Sequence, residues 1–110
     1  MYNLGMTEQW TEAGLRADLK EGVPRAVFSK GLPVLLILRG EEIFALENRC
    51  AHMGCPLALG RLDGYVLQCP CHDWRFDIRD GKFLDAPELA VKTYPVELRD
   101  RGIFIKVTTL

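Results

Sequence analysis

Histidine is scarce in this sequence, with only two among 110 residues, and other scarce features exclude several classes of function. The formal net charge is −1, which gives no electrostatic basis for binding nucleic acid or an anionic membrane. The longest apolar run, around Pro33 to Leu38, is far too short to span a bilayer. The N-terminus shows neither the basic nor the apolar region of a secretory signal, so we expect a soluble, cytoplasmic protein.

A phosphate-binding loop is also absent from the sequence, because the ten glycines occur singly, mostly at predicted turns. Aspartate and glutamate are scattered, and no histidine outside one short stretch could act as a general base. We therefore expect no enzymatic activity of this chain alone. Its length predicts one domain over residues 1–110.

Both histidines and all four cysteines lie between residues 50 and 76. One residue separates Cys50 from His52, and two separate Cys69 from His72, so each pair can converge from one turn of backbone. Thiolate and imidazole suit zinc or an iron–sulfur cluster rather than calcium or magnesium. The usual zinc-finger order places the cysteines in one half and the histidines in the other, whereas here each half has one of each. A structural zinc site and an iron–sulfur centre both remain open on this evidence.

The pattern C-x-H…C-x-x-H closely resembles that of the Rieske [2Fe–2S] family. Gly54 soon after the first histidine, Pro70 after the second ligand cysteine, and the W-R-F-D run at residues 74–77 support the resemblance. It extends more weakly from about Trp10 to Val107. The resemblance implies one [2Fe–2S] cluster bound by Cys50, His52, Cys69 and His72, with the cysteines on one iron and the histidines on the other.

The resemblance also implies roles for residues near the ligands. High-potential Rieske proteins join the positions of Cys55 and Cys71 as a disulfide, whereas many soluble Rieske ferredoxins lack both cysteines. We favour the disulfide over two buried thiols, because a spare thiol beside each ligand loop is otherwise hard to explain, although cytosolic thiols usually stay reduced. The residues expected around the cluster without binding iron are Gly54, Leu57, Trp74, Phe76 and Pro87. Pro87 lies in a predicted loop, residues 85–89, that would cover the cluster or simply connect strands.

Strand signals dominate the chain, and their spacing with turns predicts an all-β fold, an antiparallel sandwich or barrel. A short strand is predicted at residues 10–13, and residues 14–22 could include one helical turn. The other predicted strands or hairpins are residues 25–29, 34–39, 42–47, 61–68, 76–84 and 93–107. The resemblance adds a small cluster-binding subdomain, about residues 48–76, at one tip of a Rieske-like base.

One-electron transfer is the function that the resemblance implies. The protein would be a soluble ferredoxin that takes electrons from a reductase and delivers them to an oxygenase or a similar terminal oxidoreductase. The alternatives are a small subunit of a larger oxidoreductase, of the nitrite reductase or arsenite oxidase type, and a structural zinc module. The oligomeric state does not follow from the sequence.

The redox potential also has a predicted range. High-potential Rieske proteins carry a serine two residues after the second histidine and a tyrosine two residues beyond it, whose hydroxyls donate hydrogen bonds to sulfur. Trp74 and Phe76 occupy these positions here. We therefore expect a potential in the lower half of the Rieske range, which runs from about −150 to +300 mV.

Overall fold

The computed structural model describes residues 7–51 and 54–109, and it is built from β-strands. All strand ladders are antiparallel, which confirms the predicted all-β class. Among the described residues, no helix is long and apolar enough to cross a membrane. The strands are β1 (Thr7–Leu15), β2 (Arg25–Ser29), β3 (Leu32–Arg39), β4 (Glu42–Glu47), β5 (Arg61–Asp63), β6 (Val66–Gln68), β7 (Arg75–Asp77), β8 (Lys82–Phe83), β9 (Ala86–Ala90), β10 (Thr93–Tyr94), β11 (Val96–Arg99) and β12 (Gly102–Thr109), with 3₁₀ helices at Arg16–Asp18 and Leu57–Leu59.

These strands form three sheets. The orders are β1-β12-β11 in the first sheet, β10-β4-β3-β2 in the second and β5-β6-β7-β8-β9 in the third. The third sheet contains the hairpin between the two predicted ligand loops and the strands that follow the second loop. It therefore holds the two loops in a defined relation to each other.

Strand β3 accounts for the longest apolar run in the sequence. Its residues from Val34 to Leu38 are all at most 5% exposed, which confirms the prediction of a strand buried on both faces. Successive side chains of a strand point to opposite faces. Val34, Leu36 and Leu38 accordingly belong to one hydrophobic core, and Leu35 and Ile37 belong to another.

The two hydrophobic cores lie in different parts of the fold, one in the base and one beside the predicted ligand loops. The first core lies between the first and second sheets and also includes Ala13, Ile43, Ala45, Tyr94, Ile103, Ile105 and Val107. The second core lies between the second and third sheets and also includes Leu46, Cys50, Leu57, Leu67, Cys69, Phe76, Ile78, Phe83 and Val91. Both predicted ligand cysteines are thus packed into the second core.

Strand β1 is longer than predicted. It pairs with β12 from Thr7, opposite Thr109, to Leu15, opposite Gly102, with one irregularity between Glu12 and Gly14. The polar residues at its start give little local strand signal, so the pairing with β12 extends the strand. The possible helical turn after it is present as the 3₁₀ helix Arg16–Asp18.

The predicted loop at residues 85–89 is wrong, because this segment is strand β9. It pairs with β8 at the edge of the third sheet, with Phe83 opposite Ala86 and Lys82 opposite Ala90. Pro87 is exposed in this strand. An edge strand tolerates proline because one of its sides forms no ladder, so the missing N–H is not needed there.

The predicted hairpin strand at residues 93–98 is also wrong, because it is two strands in different sheets. β10 pairs with β4, and β11 pairs with β12. Pro95 lies between them, and its carbonyl accepts a hydrogen bond from the N–H of Lys106 (3.0 Å). The chain therefore passes from the second sheet to the first at a residue that cannot donate to a ladder.

Candidate metal centre

The first ligand loop, residues 50–55, is closed by two backbone hydrogen bonds. The N–H of Cys50 donates to the carbonyl of Cys55 (2.8 Å), and the N–H of Gly54 donates to the carbonyl of Cys50 (2.9 Å). Gly54 has a φ of +75°, a conformation that glycine adopts without steric cost. The loop thus folds back on its own first residue, which places Cys50 at its base.

The second ligand loop, residues 69–74, has the same hydrogen-bond pattern. The N–H of Cys69 donates to the carbonyl of Trp74 (2.7 Å), and the N–H of Asp73 donates to the carbonyl of Cys69 (3.1 Å). Asp73 has a φ of +60° at the place that Gly54 occupies in the first loop. Its carboxylate accepts a hydrogen bond from Nε2 of Gln68 (3.0 Å), so the loop is held to the preceding strand.

The cysteines and the described histidine differ in exposure. Cys50 and Cys69 are buried, at 2% and 1% exposure, whereas His72 is exposed. His52 lies outside the described residues. The structure therefore brings together three of the four predicted ligand residues on two similar loops, with the thiols on the core side and His72 toward solvent.

The other two cysteines form a disulfide between the loops. Cys55 and Cys71 are bonded, with their Cα atoms 6.5 Å apart, which confirms the predicted pairing. Cys55 is half-buried and Cys71 is exposed. The Sγ atoms of Cys55, Cys69 and Cys71 all lie within 4.8 Å of one another. The disulfide therefore lies directly beside a predicted ligand thiol.

Removing this disulfide should destabilise the protein. The bridge joins residues 16 positions apart, and a closed loop of this size contributes about 3 kcal/mol in the chain-entropy account. The double variant Cys55→Ala/Cys71→Ala is expected to lose about this much free energy of unfolding, measured by urea denaturation. Dithiothreitol should lower the midpoint of the wild type but leave that of the double variant unchanged. Equal midpoints for the two untreated proteins would contradict this account.

Aromatic side chains line the core side of the second loop. Trp74 stacks flat on Phe83, with ring centroids 3.9 Å apart, and Phe76 lies 5.6 Å from Phe83. Phe76 and Leu57 are both 0% exposed in the core that includes the predicted ligand cysteines. Leu57 and Phe76 share one core with Cys50 and Cys69, and Trp74 packs against it. Their place around a cluster, like a covering role for Pro87, remains a prediction.

Two residues that hold the segments around the loops were not identified from the sequence. The side-chain carbonyl of Asn48 accepts a hydrogen bond from the N–H of Ala58 (2.8 Å), which holds the 3₁₀ helix Leu57–Leu59 after the first loop to the end of β4. Gly60 lies against the carbonyl of Gln68, and a Cβ at this position would overlap that oxygen. Gln68 directly precedes Cys69, so this contact sets the distance between the two halves of the site. A single glycine before a strand is not distinguishable from a turn glycine in the sequence.

The variant Gly60→Ala is expected to reduce both stability and iron content. The added methyl group must displace the backbone of Gln68, and forced overpacking typically costs about 1–3 kcal/mol. Iron per protein chain after identical purification measures the effect on the site. Gly64→Ala is the control, because nothing lies within 4 Å of its Cβ position and only its φ of +62° is unfavourable. Full iron content in Gly60→Ala would show that the contact does not position the loops.

An ion pair fixes the turn after β7. Arg79 donates through Nε and Nη2 to the two carboxylate oxygens of Asp77 (3.0 and 2.8 Å), and its guanidinium lies 4.5 Å from the ring centre of Tyr65. These hydrogen bonds lower the pKa of Asp77 below its ordinary value of 3.8, although partial burial opposes the shift. The pair therefore contributes stability above the ordinary pKa and loses it as the pH falls through the lowered pKa.

Comparison with protein families decides between a structural zinc site and an iron–sulfur centre. The model of the Rieske [2Fe-2S] domain matches residues 9–95. This chain belongs to the Rieske [2Fe–2S] family. The family has one [2Fe–2S] cluster, held by cysteine and histidine, and the buried thiols and exposed imidazole on the two loops of this protein fit that donor set.

Individual relatives of this Rieske protein are ferredoxins of dioxygenase systems. The ferredoxin component of a naphthalene 1,2-dioxygenase system from Pseudomonas putida is 36% identical over 104 residues, covering 94% of this chain and 100% of the relative. The solved ferredoxin of carbazole 1,9a-dioxygenase from Nocardioides aromaticivorans IC177 matches with a TM-score of 0.79 and 29% identity, over 88% of this chain and 96% of that chain. A chain from a complex of reduced oxygenase and oxidized ferredoxin in carbazole 1,9a-dioxygenase matches with a TM-score of 0.78 and 26% identity. The match covers 87% of this chain and 91% of that chain.

Proposed function

We propose that this protein carries single electrons to an oxygenase through a [2Fe–2S] cluster bound by Cys50, His52, Cys69 and His72. The observation that carries the proposal is the match to a ferredoxin component over that relative's full length, combined with two buried cysteines and an exposed histidine on matching loops. The bound cluster would supply one-electron oxidation and reduction.

The side chains of the site have separate tasks in this proposal. Cys50 and Cys69 would hold one iron of the cluster from within the second core. His52 and His72 would hold the other iron, and the exposure of His72 supports a role for this side chain at the surface that a partner contacts. Electrons enter and leave at this surface, so the protein needs no substrate pocket of its own.

The relatives support an oxygenase as the electron acceptor. Several are named as ferredoxin components of dioxygenase systems, and one similar structure is a complex with an oxygenase. We infer that a reductase reduces this protein and that a terminal oxygenase oxidises it. A cytoplasmic location and a single domain over residues 1–110 belong to the same proposal. Strand β3, which contributes to both hydrophobic cores, supports the single domain.

Spectroscopy and rapid mixing test the proposed function. The purified protein should be coloured, and after reduction it should give the EPR spectrum of a Rieske centre. Mixing the reduced protein with an oxidised Rieske oxygenase should reoxidise it at a rate that rises with oxygenase concentration. Size-exclusion chromatography distinguishes this function from that of a small subunit of a larger oxidoreductase, because such a subunit would elute together with its catalytic subunit. A colourless protein that contains zinc would overturn the proposal.

The redox potential provides a further prediction at Phe76. A tyrosine at this buried position would carry a hydroxyl that can donate to sulfur, and such a bond favours the more negative, reduced state. Phe76→Tyr is therefore expected to have a higher potential than the wild type in protein-film voltammetry. Phe83→Tyr, in the same aromatic cluster, is the matched control and should change the potential less. An unchanged potential in Phe76→Tyr would show that another interaction sets it.

A further inference from the structure

Three sulfur atoms at the site are placed for a reaction that electron transfer does not use. The Sγ of Cys69 lies within 4.8 Å of both sulfurs of the Cys55–Cys71 disulfide. Thiolates exchange with disulfides by attacking one of the two sulfur atoms. A Cys69 thiolate that is not bound to iron therefore has an electrophile beside it.

We propose that the cluster-free protein undergoes intramolecular thiol–disulfide exchange at this site. The Cys69 thiol gives its proton to water, and its sulfur attacks the Sγ of Cys55. The Cys55–Cys69 bond forms as the Cys55–Cys71 bond breaks, and Cys71 leaves as a thiolate that takes a proton from water. The number of disulfides does not change, so the step consumes no oxidant or reductant.

Exposure and chain connectivity set the direction of this exchange. Cys71 is exposed and Cys55 is half-buried, so water stabilises Cys71 better as the leaving thiolate. Attack on Cys71 instead would close a ring across Pro70 alone, and such short, stiff rings are disfavoured. The expected product is therefore a buried Cys55–Cys69 bond and an accessible Cys71 thiol.

Cluster binding and exchange exclude each other, because both use the sulfur of Cys69. While iron holds this sulfur, it cannot attack the disulfide. After cluster loss, exchange removes Cys69 from the ligand set until a thiol reductant restores it. The exposed Cys71 thiol then marks the cluster-free protein. The protection of the disulfide by bound iron rests on the proposed assignment of Cys69 as a ligand. The exchange itself rests only on the positions of the three sulfur atoms.

The variant Cys50→Ser tests the exchange directly. It lacks one proposed ligand and contains only the three relevant cysteines. The full chain is kept without oxygen in mildly alkaline buffer, alkylated at intervals, digested and mapped by mass spectrometry. The Cys55–Cys69 peptide and alkylated Cys71 should increase together with time, and Cys50→Ser/Cys69→Ser should keep the Cys55–Cys71 bond. A Cys50→Ser sample that retains only Cys55–Cys71 would overturn the proposal.

Cluster loss from the wild type provides the second measurement. Near-ultraviolet circular dichroism shows whether the Cys50→Ser variant keeps its tertiary structure. The visible absorbance of the wild type is bleached with an iron chelator while alkylation of Cys71 is followed. The two changes should have matching time courses. Cys71 that stays protected after bleaching would overturn the exchange and leave the electron-transfer function standing. Alkylation while the cluster is intact would instead show that iron does not protect Cys69, against its assignment as a ligand.

Discussion

Replacing His72 with alanine is expected to abolish the Rieske EPR signal. His72 is exposed on the second ligand loop, three positions after the buried Cys69 and next to Asp73, whose N–H closes the loop. Its substitution removes one of the two proposed imidazole ligands at an exposed position. The second iron would then lack the ligand set that distinguishes a Rieske centre from one bound by cysteines alone.

EPR spectra and iron content of the purified variant measure this loss. Asp73→Asn is the matched control, because it changes the neighbouring exposed residue and should keep the signal. His52→Ala should lose the signal as His72→Ala does, since the proposal gives both histidines the same role. A native EPR spectrum from His72→Ala would remove this residue from the ligand set.

Replacing Phe76 with alanine should cause the largest loss of stability among these variants. Phe76 is 0% exposed, and it pairs with Leu67 on β6 and with Phe83 on β8. Its ring therefore lies on the inner face of the third sheet, within the core that includes Cys50 and Cys69. Truncation of a buried phenylalanine to alanine typically costs about 3–5 kcal/mol, because it leaves a cavity.

Urea denaturation of cluster-loaded protein measures the effect of Phe76→Ala. Phe28→Ala is the matched control, because Phe28 is 76% exposed on β2 and its loss should change stability by less than about 0.5 kcal/mol. Iron content should also fall in Phe76→Ala, since the cavity opens in the core that includes the proposed ligand cysteines. Equal unfolding midpoints for the two variants would show that Phe76 does not support this core.

The aromatic cluster and the disulfide hold the second loop from two sides. Trp74 stacks on Phe83 within the third sheet, while Cys71 is bonded to Cys55 of the first loop. The sheet thus fixes the C-terminal end of the loop, and the disulfide fixes its outer part to the opposite loop. A cluster bound between the loops would find these points of attachment already in place, which lowers the entropy cost of binding it.

Local patterns in the sequence were sufficient to identify the family and the all-β class. One residue separates Cys50 from His52 and two separate Cys69 from His72, so this spacing is a property of short segments. The run from Val34 to Leu38 is likewise continuous, and its burial on both faces follows from alternation along one strand. The Cys55–Cys71 pairing came from the resemblance to high-potential Rieske proteins, and the structure confirms it.

Segments whose partners are distant in the chain were predicted less well. Residues 86–90 contain a proline and look like a loop, but pairing with β8 makes them an edge strand. The break at Pro95 has the same origin, because β10 and β11 find partners in different sheets. Hydrophobic periodicity reports which face of a segment is buried, but not which strand lies beside it.

By itself, the sequence determined the donor types, their spacing and hence the family, since metal preference and loop geometry depend on residues close together in the chain. Only the tertiary structure decided that Gly60 meets the carbonyl of Gln68 and that the Cys69 sulfur lies beside the disulfide. Both contacts join segments that are brought together by the β5–β6 hairpin and by the packing of the second core. Their distances depend on how whole strands pair, and no short stretch of sequence contains that information.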